Sequence, residues 1–334
     1  MLNPKLGIDL GTANILIFAS GKGVILSEPS VVALSEQNKK VLAVGESARE
    51  MIGKTPDDIV AYRPMQDGVI ADYKITEIML KYFLGKVLGK WNIFRPNVII
   101  SVPAGVTSTQ RRAVIDAAVN AGARSAHVIK EPILAAIGAG IHINDSRGYM
   151  IVDIGGGTID VAIISLGGIV LSKSVKVAGD KIDNAIVDYM RKKHNLAIGE
   201  KTAEKIKRKI GTAIRLEPDT YATIKGRDYL SGLPKTIRIS SNELVLAYER
   251  ELRAMIQAIK DTLADVPPEL ASDIIDNGIV MSGGTSQLKK FAELVAQKTG
   301  VRTTVADDPL FCVARGTGIA LDHLDLYKKA LLNK

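Results

Sequence analysis

One pattern occurs twice in this chain and limits what it can fold into: an apolar strand ends in an aspartate, turns on glycine and threonine, and returns as a second apolar strand. The first copy is Gly7-Ile8-Asp9-Leu10-Gly11-Thr12-Ala13-Asn14, continued by Ile15 to Ala19. The second is Met150-Ile151-Val152-Asp153-Ile154-Gly155-Gly156-Gly157-Thr158-Ile159-Asp160-Val161, continued to Leu166. Glycines without a Cβ let backbone amides approach an anion, and the amides of such a turn form a concave donor nest. A carboxylate beside that nest repels a bare phosphate but becomes useful when a hydrated divalent cation lies between them. Two copies roughly half a chain apart predict two similar lobes closing on one polyphosphate. A third glycine turn, Ile279-Val280-Met281-Ser282-Gly283-Gly284-Thr285-Ser286, runs from a strand into a helix expected over 285–300. Thr285 is placed to cap that helix, whose open amides favour a polar or anionic ligand.

At 334 residues, 46% hydrophobic and 24% charged, the chain can bury a core large enough for two lobes. The formal charge of +8 leans toward acidic partners. Its basic runs, Arg191-Lys192-Lys193 and Lys205 to Lys209, carry no interleaved aromatics, which favours a membrane surface or plain solvation over nucleic acid. Cys312 is the single cysteine and the four histidines are dispersed, so neither a disulfide framework nor a cysteine-rich zinc site is expected. The absence of a signal peptide, and of an apolar run near ~18 residues, predicts a cytoplasmic protein that meets a membrane only from that side.

In chain order, strands are expected at 5–10, 14–19 and 23–27, strand-like runs at 31–34 and 41–44, and helices at 46–52 and 72–88. Gly53-Lys54-Thr55 is not a phosphate loop, because position 48 is alanine and a helix precedes it. Thr107-Ser-Thr-Gln110 is a capping box opening a helix that stops at Gly122. Pro132 suits a first helical turn, with Glu131 favourably placed at its entrance. Further helices are expected from 179 to 193, 202 to 213, 240 to about 263, and 267 to 275. Between 72–88 and the strand at 98–102, Trp91-Asn92-Ile93-Phe94 collects the one tryptophan and a phenylalanine beside Lys86, Lys90 and Arg95. Such a loop either covers the sheet edge or anchors in a membrane interface. The tail from Tyr327 to Lys334 is short, basic and amphipathic, either a frayed helix end or a second weak membrane contact.

The three turns, in this order, resemble the superfamily of sugar kinases, heat-shock chaperones and actins. Arg63-Pro64-Met65-Gln66-Asp67-Gly68-Val69-Ile70-Ala71-Asp72, Glu131-Pro132 leading into Ala135-Ala136-Ile137-Gly138-Ala139-Gly140, and Asp307-Asp308-Pro309-Leu310 narrow the resemblance to the MreB family of bacterial actins, over nearly the entire chain. The resemblance implies an actin-like α/β fold of two lobes, each a duplicated mixed sheet flanked by helices with a smaller subdomain. The first lobe would span 1–140 plus 315–334 (small subdomain about 31–75), the second 141–314 (small subdomain about 181–250). ATP or ADP with Mg²⁺ would lie between them. Gly11, Thr12, Ala13, Asn14, Gly155, Gly156, Gly157, Thr158, Gly179, Asp180, Gly283, Gly284 and Thr285 would surround the nucleotide. Glu204 and Lys207, three residues apart on one helix face, would lie against ribose and adenine; the plain alternative is an exposed intrahelical pair. Asp9 and Asp153 would hold Mg²⁺ mainly through water, and Glu131 with Thr158 would position the attacking water.

The family further implies slow hydrolysis that times a polymer, self-association into double protofilaments on the inner face of the cytoplasmic membrane, and a role in cell shape or, in a wall-less cell, motility. Contact with anionic lipid would pass through Trp91, Ile93 and Phe94, because Met1 to Lys5 is too short for an N-terminal amphipathic helix. Wall-synthesis or cytoskeletal membrane proteins are the implied partners. The chain departs from the family pattern at Lys130, usually acidic, at Ile159-Asp160, usually Thr-Glu, and at Phe311-Cys312 and Arg315. A phosphotransferase would need a catalytic aspartate and sugar-binding groups that are not found, and a chaperone would need a further C-terminal domain. A nucleotide-binding filament partner with little hydrolysis stays open.

Overall fold

A computed structural model gives the fold and describes residues 4–37, 40–54, 58–89 and 95–332. Trp91, Ile93 and Phe94 lie outside the described residues. The first part of the chain forms β1 (Lys5–Leu10), β2 (Asn14–Ala19), β3 (Gly23–Pro29), β4 (Val32–Ser35), β5 (Val41–Val44), α1 (Glu46–Met51), β6 (Ile59–Tyr62), β7 (Met65–Gln66), β8 (Val69–Ile70), α2 (Tyr73–Leu88), β9 (Asn97–Val102), α3 (Ser108–Asn120), β10 (Ser125–Lys130) and α4 (Glu131–Gly138). The remainder forms β11 (Tyr149–Ile154), β12 (Ile159–Ser165), β13 (Gly168–Val175), α5 (Gly179–His194), β14 (Leu196–Ala197), α6 (Glu200–Ile210), β15 (Tyr221–Asp228), β16 (Pro234–Ser240), α7 (Ser241–Ala247), α8 (Glu249–Ala264), α9 (Pro268–Asn277), β17 (Ile279–Ser282), α10 (Phe291–Thr299), β18 (Thr303–Val305) and α11 (Cys312–Asp322).

The two glycine hairpins seed two sheets of the same topology. The first has the order β10-β9-β1-β2-β3 and the second, read from its other edge, β18-β17-β11-β12-β13. In each, the hairpin and a third strand make an antiparallel meander, while the hairpin's first strand pairs in parallel with a later strand. Asp9 and Asp153 therefore occupy equivalent strand ends. The expected α/β architecture is present, with a mixed five-stranded sheet in each half of the chain.

A third apolar cluster joins the lobes. Ile99 and Ile129 of the first sheet, Ile151, Ala162 and Ile164 of the second, and the apolar faces of α4 and α11 pack together. The helices cross at contact distance because Gly316 carries no side chain: a Cβ there would sit 1.9 Å from the Leu134 carbonyl oxygen. Both cleft walls thus hang from one crossing, which sets the position of Glu131 at the start of α4.

Local signals held where they depended on neighbours in sequence. Thr107 and Gln110 form the reciprocal capping box, and Asp72 caps α2 by accepting from the Ile75 amide. They failed where a distant partner intervened. The helix expected from 240 to about 263 is divided at Tyr248, whose ring is fully buried. Its hydroxyl accepts from the Thr212 amide at 3.0 Å and donates to the Thr212 carbonyl at 2.9 Å. The same tie ends α6 early, at Ile210, and draws Thr212 and Ala213 toward Lys289. Tyr248→Phe would leave the buried Thr212 backbone unpaired and is expected to cost about 1–3 kcal/mol in a denaturant titration. The helix expected over 285–300 begins only at Phe291, after a single 3-10 turn over Gly284–Gln287. Thr285 does not cap it; its hydroxyl donates to the Gly155 carbonyl at 2.7 Å. The short β18 had no sequence signal, because Thr303–Val305 is a polar, part-exposed edge.

Candidate functional site

A cavity of about 630 Å³ opens between the sheets, at the ends of β1 and β11 where the chain turns. It is lined by Asp9, Gly11 to Asn14, Glu131, Asp153, Gly155 to Thr158, Gly179, Asp180, Glu204, Lys207 and Gly283 to Thr285. All candidate nucleotide, metal and water-positioning residues thus meet in one place.

The hairpin turns abut each other across the cleft. A Cβ at Gly156 would lie 2.8 Å from the Ala13 Cβ, and one at Gly157 would lie 2.9 Å from the Thr12 hydroxyl. Among the described residues, the amides of Thr12, Ala13, Gly156 and Gly157 donate to no protein acceptor, so two small donor sets face each other. The Gly179 and Asp180 amides are already committed, to the carbonyls of Gly155 and Gly156 at 3.3 and 2.8 Å. The start of α5 is therefore stapled to the turn.

Behind the turns lies an acidic floor built twice. Ser101, at the end of β9, donates to Asp9 at 2.8 Å; Ser282, at the end of β17, donates to Asp153 at 2.6 Å. Burial pushes Asp9 up to about 6 and Asp153 up to about 7, with each serine pulling the other way. Glu131 is raised well above the ordinary range, first by burial and then by Asp160, Asp9 and Asp153. Asp160 accepts from the Ala104 amide at 3.1 Å and is likewise raised by burial. Three buried carboxylates and the half-buried Asp9, crowded together, favour protonation, an arrangement that suits added positive charge. Among the described residues no three potential ligands converge closely enough to grip a metal ion directly. Asp9 and Asp153 fit a hydrated divalent ion held through water.

The outer wall is α6. Lys207 donates to the Gly179 carbonyl at 3.0 Å and to Asp183 at 2.8 Å, so it is tied to α5 rather than to Glu204. Burial pushes Asp183 up to about 6, against the pull of Lys207. Glu204 instead meets Arg49 of α1, across the cleft. Ser101, Ser282, Asp183, Arg49 and Arg63 were missed as site residues by sequence reasoning.

The description "MreB/Mbl protein" belongs to the family model that matches residues 3–329. The chain belongs to the MreB/Mbl family. Over 333 residues it is 47% identical to the cell shape-determining protein Mbl of Bacillus subtilis, covering all of both chains. It is 45% identical to the cell shape-determining protein MreB of Escherichia coli K12, over 98% of this chain and 96% of that one. The MreB/Mbl fold superposes on the crystal structure of Spiroplasma citri MreB5 bound to ADP with a TM-score of 0.93, at 38% identity over 98% of this chain and 99% of that one. A MamK double helical filament, at 23% identity over 96% and 99% of the two chains, matches with a TM-score of 0.80 and shares the fold.

Proposed function

We propose that this MreB/Mbl chain binds ATP and ADP with Mg²⁺ in the cleft, hydrolyses ATP slowly, and polymerises as a cell shape-determining or motility filament on the inner face of the cytoplasmic membrane. The observation that carries this reading is the doubled floor: two Asp–Ser pairs beneath two facing sets of unpaired amides, in a cavity of nucleotide size. The ADP-bound MreB5 relative supports it. Thr12, Ala13, Gly156 and Gly157 would donate to the phosphates, while Gly283, Gly284 and Thr285 hold the second turn in place. Bound Mg²⁺ would neutralise phosphate charge, with Asp9 and Asp153 holding it through water. Glu131 and Thr158 would orient water toward the terminal phosphate, the buried setting strengthening each contact. Glu204 and Lys207 would face the ribose and base, with Ile210, Leu288 and Leu310 as the apolar end.

The lobe division, 1–140 plus 315–334 against 141–314, would let nucleotide state alter the angle between the sheets and so bias assembly. Self-association into double protofilaments would carry that bias into a polymer. Anionic lipid contact would rest on Trp91, Ile93 and Phe94; no helix among the described residues is long and apolar enough to cross a membrane. Wall-synthesis or cytoskeletal membrane proteins would be the further partners.

Sedimentation with ATP, ADP or no nucleotide, with and without anionic vesicles, tests this while phosphate release is followed. Nucleotide-dependent pelleting, enhanced by vesicles and accompanied by phosphate, is expected. Pelleting without phosphate release would indicate a hydrolysis-poor filament partner, and no pelleting would restore the kinase and chaperone readings.

A further inference from the structure

Four ion pairs reach from residues 49–67 of the first lobe to the second. Arg49 on α1 meets Glu204 on α6; Arg63, just after β6, lies 3.3 Å from Glu200 and 3.7 Å from Asp180; Asp67 lies 3.5 Å from Lys176. The first three are the informative ones. Arg49, Arg63, Asp180, Glu200 and Glu204 all line the cavity, yet they are part-exposed where Asp153 and Glu131 are buried. They therefore form its rim. Lys207 does not share this role, because Asp183 holds it within its own lobe. Among the described residues, Arg208, one turn along α6, also reaches Glu204, at 3.9 Å, and Glu46 of α1 reaches Arg49, at 3.7 Å.

We propose that Arg49 and Arg63 form an electrostatic latch that fastens the small subdomain of the first lobe to α6 and α5 and sets the residence time of a nucleoside phosphate in the cleft. The proposal rests on the reading of the cleft as a nucleotide site. Opening the mouth separates α1 from α6, so these pairs are present in the closed state and broken in the opening that release requires. Their effect falls on the dissociation rate. Arginine suits the task, since a planar fork holds a carboxylate at two points and keeps its charge at any working pH. Each part-exposed pair contributes a factor of a few, and both together about tenfold. The latch also orients Glu204, whose carboxylate would otherwise be drawn toward Arg208.

The test is the release of a fluorescent ATP analogue, with Mg²⁺ present, chased by excess ATP. Wild type, Arg49→Ala, Arg63→Ala, the double alanine variant and the double lysine variant are compared at about 0.05 and about 0.5 M salt, between which the screening length shortens about threefold. The double alanine variant is expected to release about tenfold faster at low salt, the lysine pair to recover most of the slow release, and only chains that keep the charges to speed up with salt. Melting curves check that the variants are folded. A double alanine variant that releases within twofold of wild type, or a wild-type rate indifferent to salt, overturns the latch; the salt test needs no variant to fold. Wild type that fails to bind the analogue removes the nucleotide reading and the latch with it, so the two failures are distinct.

Discussion

Glu131→Gln is expected to slow phosphate release at least about 100-fold while leaving nucleotide binding within a few-fold of wild type. Glutamine keeps the length and one acceptor oxygen of the side chain at the start of α4, so the packing of Pro132 and the helix crossing is undisturbed. What it loses is the ability to carry negative charge toward a water. Glu131 sits 8% exposed, and burial, with Asp160, Asp9 and Asp153 adding to it, raises its carboxyl well above the ordinary range. A cation held beside Asp9 and Asp153 would favour its carboxylate form, which gives a reason for turnover to depend on occupancy. Pelleted polymer should persist longer in the variant, because the timer is removed and the assembly surfaces are not. Single-turnover phosphate release by the variant at the wild-type rate would deny Glu131 this role and leave Thr158 as the group to test.

The sequence read best where function requires neighbours in the chain. The two hairpins, the first antiparallel meander and the start of α4 were all visible, because a tight turn needs glycine and a strand end needs its apolar run, while the duplicated sheet was implied only by the family resemblance. The support beneath them was not. Ser101 and Ser282 stand 92 and 129 residues from their aspartates, and a serine closing an apolar run looks like any strand terminus. The signal existed only as a comparison: once the hairpins are aligned as repeats, Ile-Ile-Ser and Val-Met-Ser fall on equivalent strands. Tyr248 shows the same limit for secondary structure. It fits the apolar face of a long helix, and only its hydroxyl's tie to Thr212, 36 residues away, breaks that helix. Arg49 carried no signal of its own and Arg63 entered only within the Arg63–Asp72 segment, because their partners belong to the other lobe. Thr285 read as a cap and proved a brace, holding the third glycine turn to the second.

Asp153→Asn is expected to make the nucleotide-free protein more stable at pH 7.5, by about 2–4 kcal/mol, while weakening Mg²⁺-dependent nucleotide binding at least about tenfold. The sign follows from the folded protein holding Asp153 at about 7 against 3.8 when unfolded. Below pH 4 both states are protonated and the group contributes its full stability. As pH rises through 7, the unfolded chain has already lost the proton that the native state retains, and stability falls by about 1.4 kcal/mol for each unit of difference, about 4 kcal/mol in all. Asp9, raised to about 6, acts in the same direction. Carboxylates lowered by their partners, such as Asp228 beside Lys235, act oppositely, stabilising above their unfolded value and losing that as pH falls. The cleft's contribution therefore lies between about pH 4 and 7. Denaturant titrations in EDTA across that interval should show wild type losing stability relative to the asparagine variant, whose amide still accepts from Ser282. Parallel curves would mean that the buried charge is relieved by other groups. Diverging curves would show that the empty cleft is strained by the same carboxylates that prepare it for a cation, so that ligand binding and lobe closure draw on one electrostatic source.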